Sequence, residues 1–257
     1  VSLRGVLDAL RAEPSVARIS ELAQTTADHI TVVSPVTAVP IVAGVIAERS
    51  PLLLVTATGR EAEDLAAALA EVIDGDVAVF PSWETLPHER LSPSSDTVGR
   101  RVAVLRRLAT GDARLRAVVA SARAAMQPIP AGLGDVEPVE LRAGDSADLT
   151  ELVERLVTLG YERVDLVERR GQLAVRGGIL DVFPPTSEHA LRVEFWGDEV
   201  EEVRHFAVTD QRSLDLAEGL CAHAVREVLL TPEVRARARS LAQAHPQVAE
   251  LCEKVAA

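Results

Sequence analysis

Short apolar runs alternate with Ala-rich amphipathic stretches through the first half of the chain. Residues 29–34 (HITVVS), 51–56 (PLLLVT), 77–80 (VAVF) and 117–121 (AVVAS) read as strands, each too short and too rich in apolar residues for a helix. Between them, residues 36–49 read as a helix. Residues 61–72 carry Leu65, Leu69 and Val72 at helical spacing, and Asp96 can cap a helix running through Leu108. Strands that alternate with helices imply a parallel sheet joined by crossovers. Continuous apolar strands imply helices on both of its faces.

The pattern changes after Met126. QPIPAGLGD, residues 127–135, is a Pro- and Gly-rich linker. An amphipathic helix over 148–159 follows. Residues 172–175 and 179–183 flank Arg176-Gly177-Gly178, and residues 191–195 and 199–206 flank Trp196-Gly197-Asp198. Both are hairpin signals. From Leu214 onward the chain reads as mainly helical, apart from a strand at 225–230. The fold class is therefore α/β: a parallel-sheet domain joined to a small antiparallel α+β domain.

Composition narrows the function. A length of 257 residues suffices for two domains with separate cores. With 47% apolar but only 3% aromatic residues, those cores must be built from Val, Leu, Ile and Ala. Runs such as 51–55 are far short of the roughly 20 residues a membrane span needs. Asp8 and Arg11 interrupt the N-terminal stretch, which makes a poor secretory signal. Cys221 and Cys252 have no metal-ligand spacing and read as free thiols of a cytoplasmic protein. A net charge of −12 opposes broad contact with nucleic acid. His88-Glu89 and His205 lack metal-site spacing. Asp181, Glu194, Asp198 and Glu199 fall at strand ends and turns, where acids serve structure. No catalytic residue, metal or cofactor is expected, and the chain reads as a non-enzyme.

Two stretches carry a family resemblance. One is FPSWETLPHERLSPSSDTVGRRVAVLRRL, residues 80–108. The other is GYERVDLVERRGQLAVRGGILDVFPP, residues 160–185, continuing as LRVEFWGDEVEEVRHFAVTDQRS over 191–213. Together they resemble the N-terminal module of the bacterial transcription-repair coupling factors (Mfd), which is similar to the damage-recognition protein UvrB. The resemblance covers roughly residues 27–230. It implies a degenerate nucleotide-binding-like α/β domain over 1–126, an inserted UvrA-docking domain over 127–212, and a return segment with a helical tail over 213–257. It also implies an adaptor that recruits UvrA to stalled transcription complexes in transcription-coupled nucleotide excision repair. In the full-length family, RNA polymerase and duplex DNA are engaged through domains absent from this chain. The competing expectation is a nucleotide-dependent, damaged-DNA-binding protein of UvrB type.

Residue by residue, the resemblance separates these two. UvrB holds phosphates in a glycine-rich loop between its first strand and first helix. The matching VVSPVTAVPIVAG, residues 32–44, has no glycine before Gly44 and no lysine. Pro35 and Pro40 remove amide donors as well. Thr37 reads as an ordinary turn or helix residue. UvrB also has an aromatic-rich hairpin, where this chain offers only Trp83, read as a packing anchor. The expected UvrA contacts are Arg163 and Arg176, since guanidinium groups make several directed hydrogen bonds and stack well. Arg169 and Arg170 could join them or pair with Glu162, Glu168 and Glu194. Phe183 could be a contact or a core residue, and Arg192 is a weaker candidate.

Overall fold

Apolar runs become strands where a neighbouring strand accepts their hydrogen bonds, and this condition decides which of the expected strands form. The structure is a computed structural model that describes residues 4–11, 13–25, 29, 31–86, 89 and 91–256. The chain divides into two compact units, Val1–Leu86 with Val104–Pro128, and Pro87–Ala103 with Ile129–Ala257.

The first unit holds helices α1 (Arg4–Arg11), α2 (Pro14–Thr25) and α3 (Val39–Ala47), then strand β1 (Leu52–Thr56), α4 (Gly59–Ala70) and β2 (Asp76–Phe80). The last residues of α5 (Ser95–Ala109), strand β3 (Leu115–Ser121) and α6 (Ala122–Met126) complete it. The sheet order is β1-β3-β2, parallel throughout, with Leu54 and Val79 both registered on Val119. Ala43 and Ala47 of α3, with Leu69 and Ile73, cover one face through Leu52, Leu54 and Ala117. Val104 and Ala124 cover the other through Phe80, Val118 and Ala120. Alanine lets the helices approach closely, which suits a chain poor in aromatics. Thr58 caps α4 by accepting from the Glu61 amide at 3.2 Å.

The strand expected at 29–34 does not form. Ile30 lies outside the described residues, and His29 and residues 31–34 are exposed loop, with no ladder partner among the described residues to turn β propensity into a strand. Asp96 is not the cap of α5. Ser94 accepts from the Thr97 amide at 3.3 Å, and Asp96 lies in the first turn, where its charge suits the helix dipole.

In the second unit, β4 (Val139–Leu141) pairs with β11 (Leu220–Ala222). Helix α7 (Leu149–Thr158) is capped by Asp148, whose Oδ1 accepts from the Thr150 and Glu151 amides at 2.7 and 2.9 Å. A six-stranded sheet follows in the order β10-β9-β8-β7-β6-β5. Its strands are β5 (Glu162–Arg163), β6 (Gln172–Arg176), β7 (Ile179–Val182), β8 (Ala190–Trp196), β9 (Glu199–Phe206) and β10 (Ser213–Leu216). All neighbours are antiparallel except β5 and β6. Both expected hairpins form, with Gly177 and Gly197 at φ 61° and 63° in their turns. Leu173, Leu180, Val182, Val193 and Val203 are buried in the sheet, and Val167, Ala174, Phe183, Ala190 and Phe206 form a further core cluster.

Helices α8 (Pro232–Ala244) and α9 (Ala249–Ala256) end the unit. Residues 225–230 are not a strand. The Val225 amide makes one bond, to the Leu159 carbonyl at 2.9 Å, and no ladder continues from it. The strands of this stretch are β10 and β11 instead. Among the described residues, no helix is long and apolar enough to cross a membrane.

Candidate docking surface

Helix α7 ends at Gly160, whose φ of +94° turns the chain into β5. There the Glu162 amide donates to the Gly171 carbonyl and the Val164 amide to the Leu173 carbonyl, both at 2.9 Å. Strand β5 is the outermost of its sheet, so Arg163 stands at an edge. Its side chain is exposed and makes no hydrogen bond or ion pair among the described residues. Arg176, exposed at the end of β6, donates one Nη2 bond to the Asp165 carbonyl at 3.0 Å. A groove of about 580 Å³ lies between the two arginines, lined by Arg163, Val164, Asp165, Val175 and Arg176.

The other arginines are more committed. Arg169 pairs with Glu162 at 3.2 Å. The Glu162 carboxylate also accepts from the Gln172 amide at 3.2 Å. The Gln172 bond and then Arg169 hold the Glu162 carboxyl below its ordinary range. Arg170 donates to the Ser187 carbonyl at 2.9 Å, lies 3.4 Å from Asp96, and stacks 4.9 Å from the Phe183 ring centroid. Phe183 is 8% exposed and sits in the core cluster. Arg192 is engaged on Asp181 through two bonds. Glu168 and Glu194 pair with none of these arginines among the described residues.

Sequence reasoning missed Gln172. Its buried side-chain oxygen accepts from the Glu168 and Arg169 amides at 3.1 and 3.2 Å, fixing the loop that carries the arginines. One polar residue opening the apolar run QLAV was the available signal.

The remaining expectations fall elsewhere. Residues 36–38 form a 3-10 turn leading into α3. Gly44 is buried in α3, where a Cβ would lie 3.3 Å from Leu7, Val72 and Ile73, so this glycine serves helix packing. Trp83 is half-buried, with its amide donating to Gln127 Oε1 at 2.8 Å. Cys221 and Cys252 are free thiols. Burial foremost, then the Glu140 carboxylate, pushes the Cys221 thiol up to about 11. His88 lies outside the described residues, and no group of His, Cys, Asp and Glu among the described residues could hold a metal ion.

Residues 139–226, from the start of β4 to just past β11, match the family model described as UvrB interaction domain. This stretch of the second unit is thus of the UvrB interaction domain class. The chain is 50% identical over 251 residues to the transcription-repair-coupling factor of Mycobacterium bovis, covering 95% of this chain and 20% of that relative. The factor from Myxococcus xanthus is 36% identical over 76% of this chain and 17% of its own length. That from Bacillus subtilis is 31% identical over 73% and 16%. This chain belongs to the transcription-repair coupling factor family and corresponds to its N-terminal, UvrB-like module. It spans about a fifth or less of the length of these curated relatives.

Proposed function

We propose that the chain is a non-catalytic adaptor that recruits UvrA to stalled transcription complexes during transcription-coupled nucleotide excision repair. One coincidence carries the reading: the stretch matching the UvrB interaction domain contains the sheet edge on which Arg163 and Arg176 stand exposed beside a groove. Residues 127–212 are the docking part, residues 1–126 the nucleotide-binding-like scaffold, and residues 213–257 the return segment and tail. Arg163 and Arg176 meet an acidic patch of UvrA, Arg169 flanks them, and Arg170 with Phe183 shapes the surface from behind. Arginines that lose their water when a partner fills the groove are of the kind that dominates interface energetics.

The part played by Gly44 in helix packing supports a module without nucleotide chemistry, and the UvrB-type, ATP-dependent reading is not favoured. No cofactor is required. The module acts in the cytoplasm, and RNA polymerase and duplex DNA are engaged through parts of the full-length protein outside this chain. The test is equilibrium binding of purified UvrA to the chain and to its Arg163→Ala/Arg176→Ala double variant. Wild-type binding weakened about tenfold or more by the pair is expected. Binding unchanged by the double substitution overturns the assigned surface.

A further inference from the structure

The chain has seven aromatic side chains, counting two Trp, one Tyr and four Phe. Six are buried or half-buried, while Trp196 is 81% exposed at the β8–β9 turn. An indole left in water forgoes one of the largest apolar burials available to a side chain. Its place in the sheet relates it to the arginine edge. Pairing aligns Arg176, Ile179, Glu194 and Glu202 in one row across β6, β7, β8 and β9. Trp196 follows Glu194 by two residues on β8; the register shifts between Glu194 and Phe195, but the extra residue, Glu201, is on β9, so β8 keeps its alternation and Trp196 shares that face. It pairs directly with Glu199 across the turn. The two hairpin turns also adjoin, since the Phe195 amide donates to the Gly178 carbonyl at 2.8 Å.

This end of the sheet therefore carries a continuous strip from the cation of Arg176, over the half-buried Ile179, to the carboxylate of Glu194 and then Trp196 with Glu199. Neither the Glu194 nor the Glu199 carboxylate makes a side-chain hydrogen bond or a close ion pair among the described residues, although Glu194 lies within electrostatic reach of Arg192 and Arg204.

We propose that Trp196 is the apolar anchor of the docking surface assigned to Arg163 and Arg176, an inference that rests on that reading. The indole enters a pocket on UvrA walled by a cationic side chain, which stacks on the ring and pairs with Glu199. Trp, with its large rigid ring, and a stacked cation are favoured at the centre of interfaces. The strip would make the partner's footprint bipolar, acidic opposite Arg163 and Arg176 and basic opposite Trp196 and Glu199. Charges of both signs fix orientation as well as attraction.

The experiment titrates UvrA into the full chain carrying 5-fluorotryptophan, with Trp83→Phe used to assign the Trp196 fluorine resonance and UvrA left unlabelled. Expected are a shift of that resonance on binding, about tenfold or greater loss of affinity in Trp196→Ala, and partial recovery in Trp196→Phe. Because the residue is so exposed, the thermal midpoint of Trp196→Ala should stay at the wild-type value. Wild-type binding with an unmoved resonance and an unweakened Trp196→Ala sinks this inference alone. No binding by the wild-type chain sinks the docking reading itself.

Discussion

Arg192 closes both arms of its guanidinium on Asp181 across neighbouring strands, with Nε to Oδ1 at 2.7 Å and Nη2 to Oδ2 at 2.9 Å. The two residues are directly registered on β7 and β8, and the guanidinium also stacks 4.9 Å from the Phe206 ring centroid. The carboxylate bond, above all, raises the Arg192 pKa. Arg192 is thereby occupied in holding the sheet.

The pair is unequally buried, with side-chain exposures of 14% for Arg192 and 2% for Asp181. Arg192→Met leaves a carboxylate enclosed without its cation and should cost about 3 kcal/mol in urea unfolding. Asp181→Asn leaves a guanidinium able to turn toward water and should cost less. Equal losses would show that Asp181 is not the more strongly enclosed partner of the pair.

Gly99 lies in α5, where alanine would ordinarily improve helix stability by about 1 kcal/mol. A Cβ there would fall 2.0 Å from the Pro185 ring, which is not a flexible side-chain end that can swing aside. Gly99→Ala should therefore destabilise the protein, by about 1–3 kcal/mol. A rise in thermal midpoint would refute the close approach.

Glu162 supplies a pH dependence. Its folded pKa lies below the ordinary 4.5 because of the Gln172 bond and then Arg169. A depressed carboxylate contributes stability that is complete above the unfolded pKa and disappears as pH falls through the folded value. Glu162→Gln should thus flatten the loss of stability below about pH 4.5, visible in thermal midpoints measured across the acid range. Parallel wild-type and variant curves would contradict this assignment.

Nucleotide binding offers a negative test. Equilibrium dialysis of the purified chain against labelled ATP and magnesium should show no saturable binding at millimolar nucleotide. Saturation at one ATP per chain would revive the UvrB-type reading.

Periodicity disclosed most of the architecture because the strands that formed were those whose runs found a neighbouring strand; helix cover on both faces was not required, since Leu53 and Val55 of β1 are 65% and 55% exposed. The hairpins were equally legible, since Gly177 and Gly197 occupy left-handed positions that few other residues tolerate. Residues 29–34 and 225–230 misled for one reason: β propensity describes a run's fitness for a ladder and says nothing about whether a partner strand is present. The candidate site was half legible. Arg163 and Arg176 could be named from the family pattern, but whether Arg169, Arg170 and Arg192 were spoken for depended on Glu162, Ser187 and Asp181, brought near only by folding. Gln172 and the exposure of Trp196 were hidden in the same way.

The basic edge has a chemical property that follows from its composition. Lys254, in α9, is the only lysine of the chain, so both groove cations are guanidinium groups. Such a group keeps its proton across all physiological acidity and offers no primary amine for acetyl transfer. Neither a change of pH within the physiological range nor lysine acylation can discharge this edge. If the edge docks a partner as proposed, its control has to come by another route, such as methylation of the guanidinium groups, a phosphate placed beside them, or a covering segment.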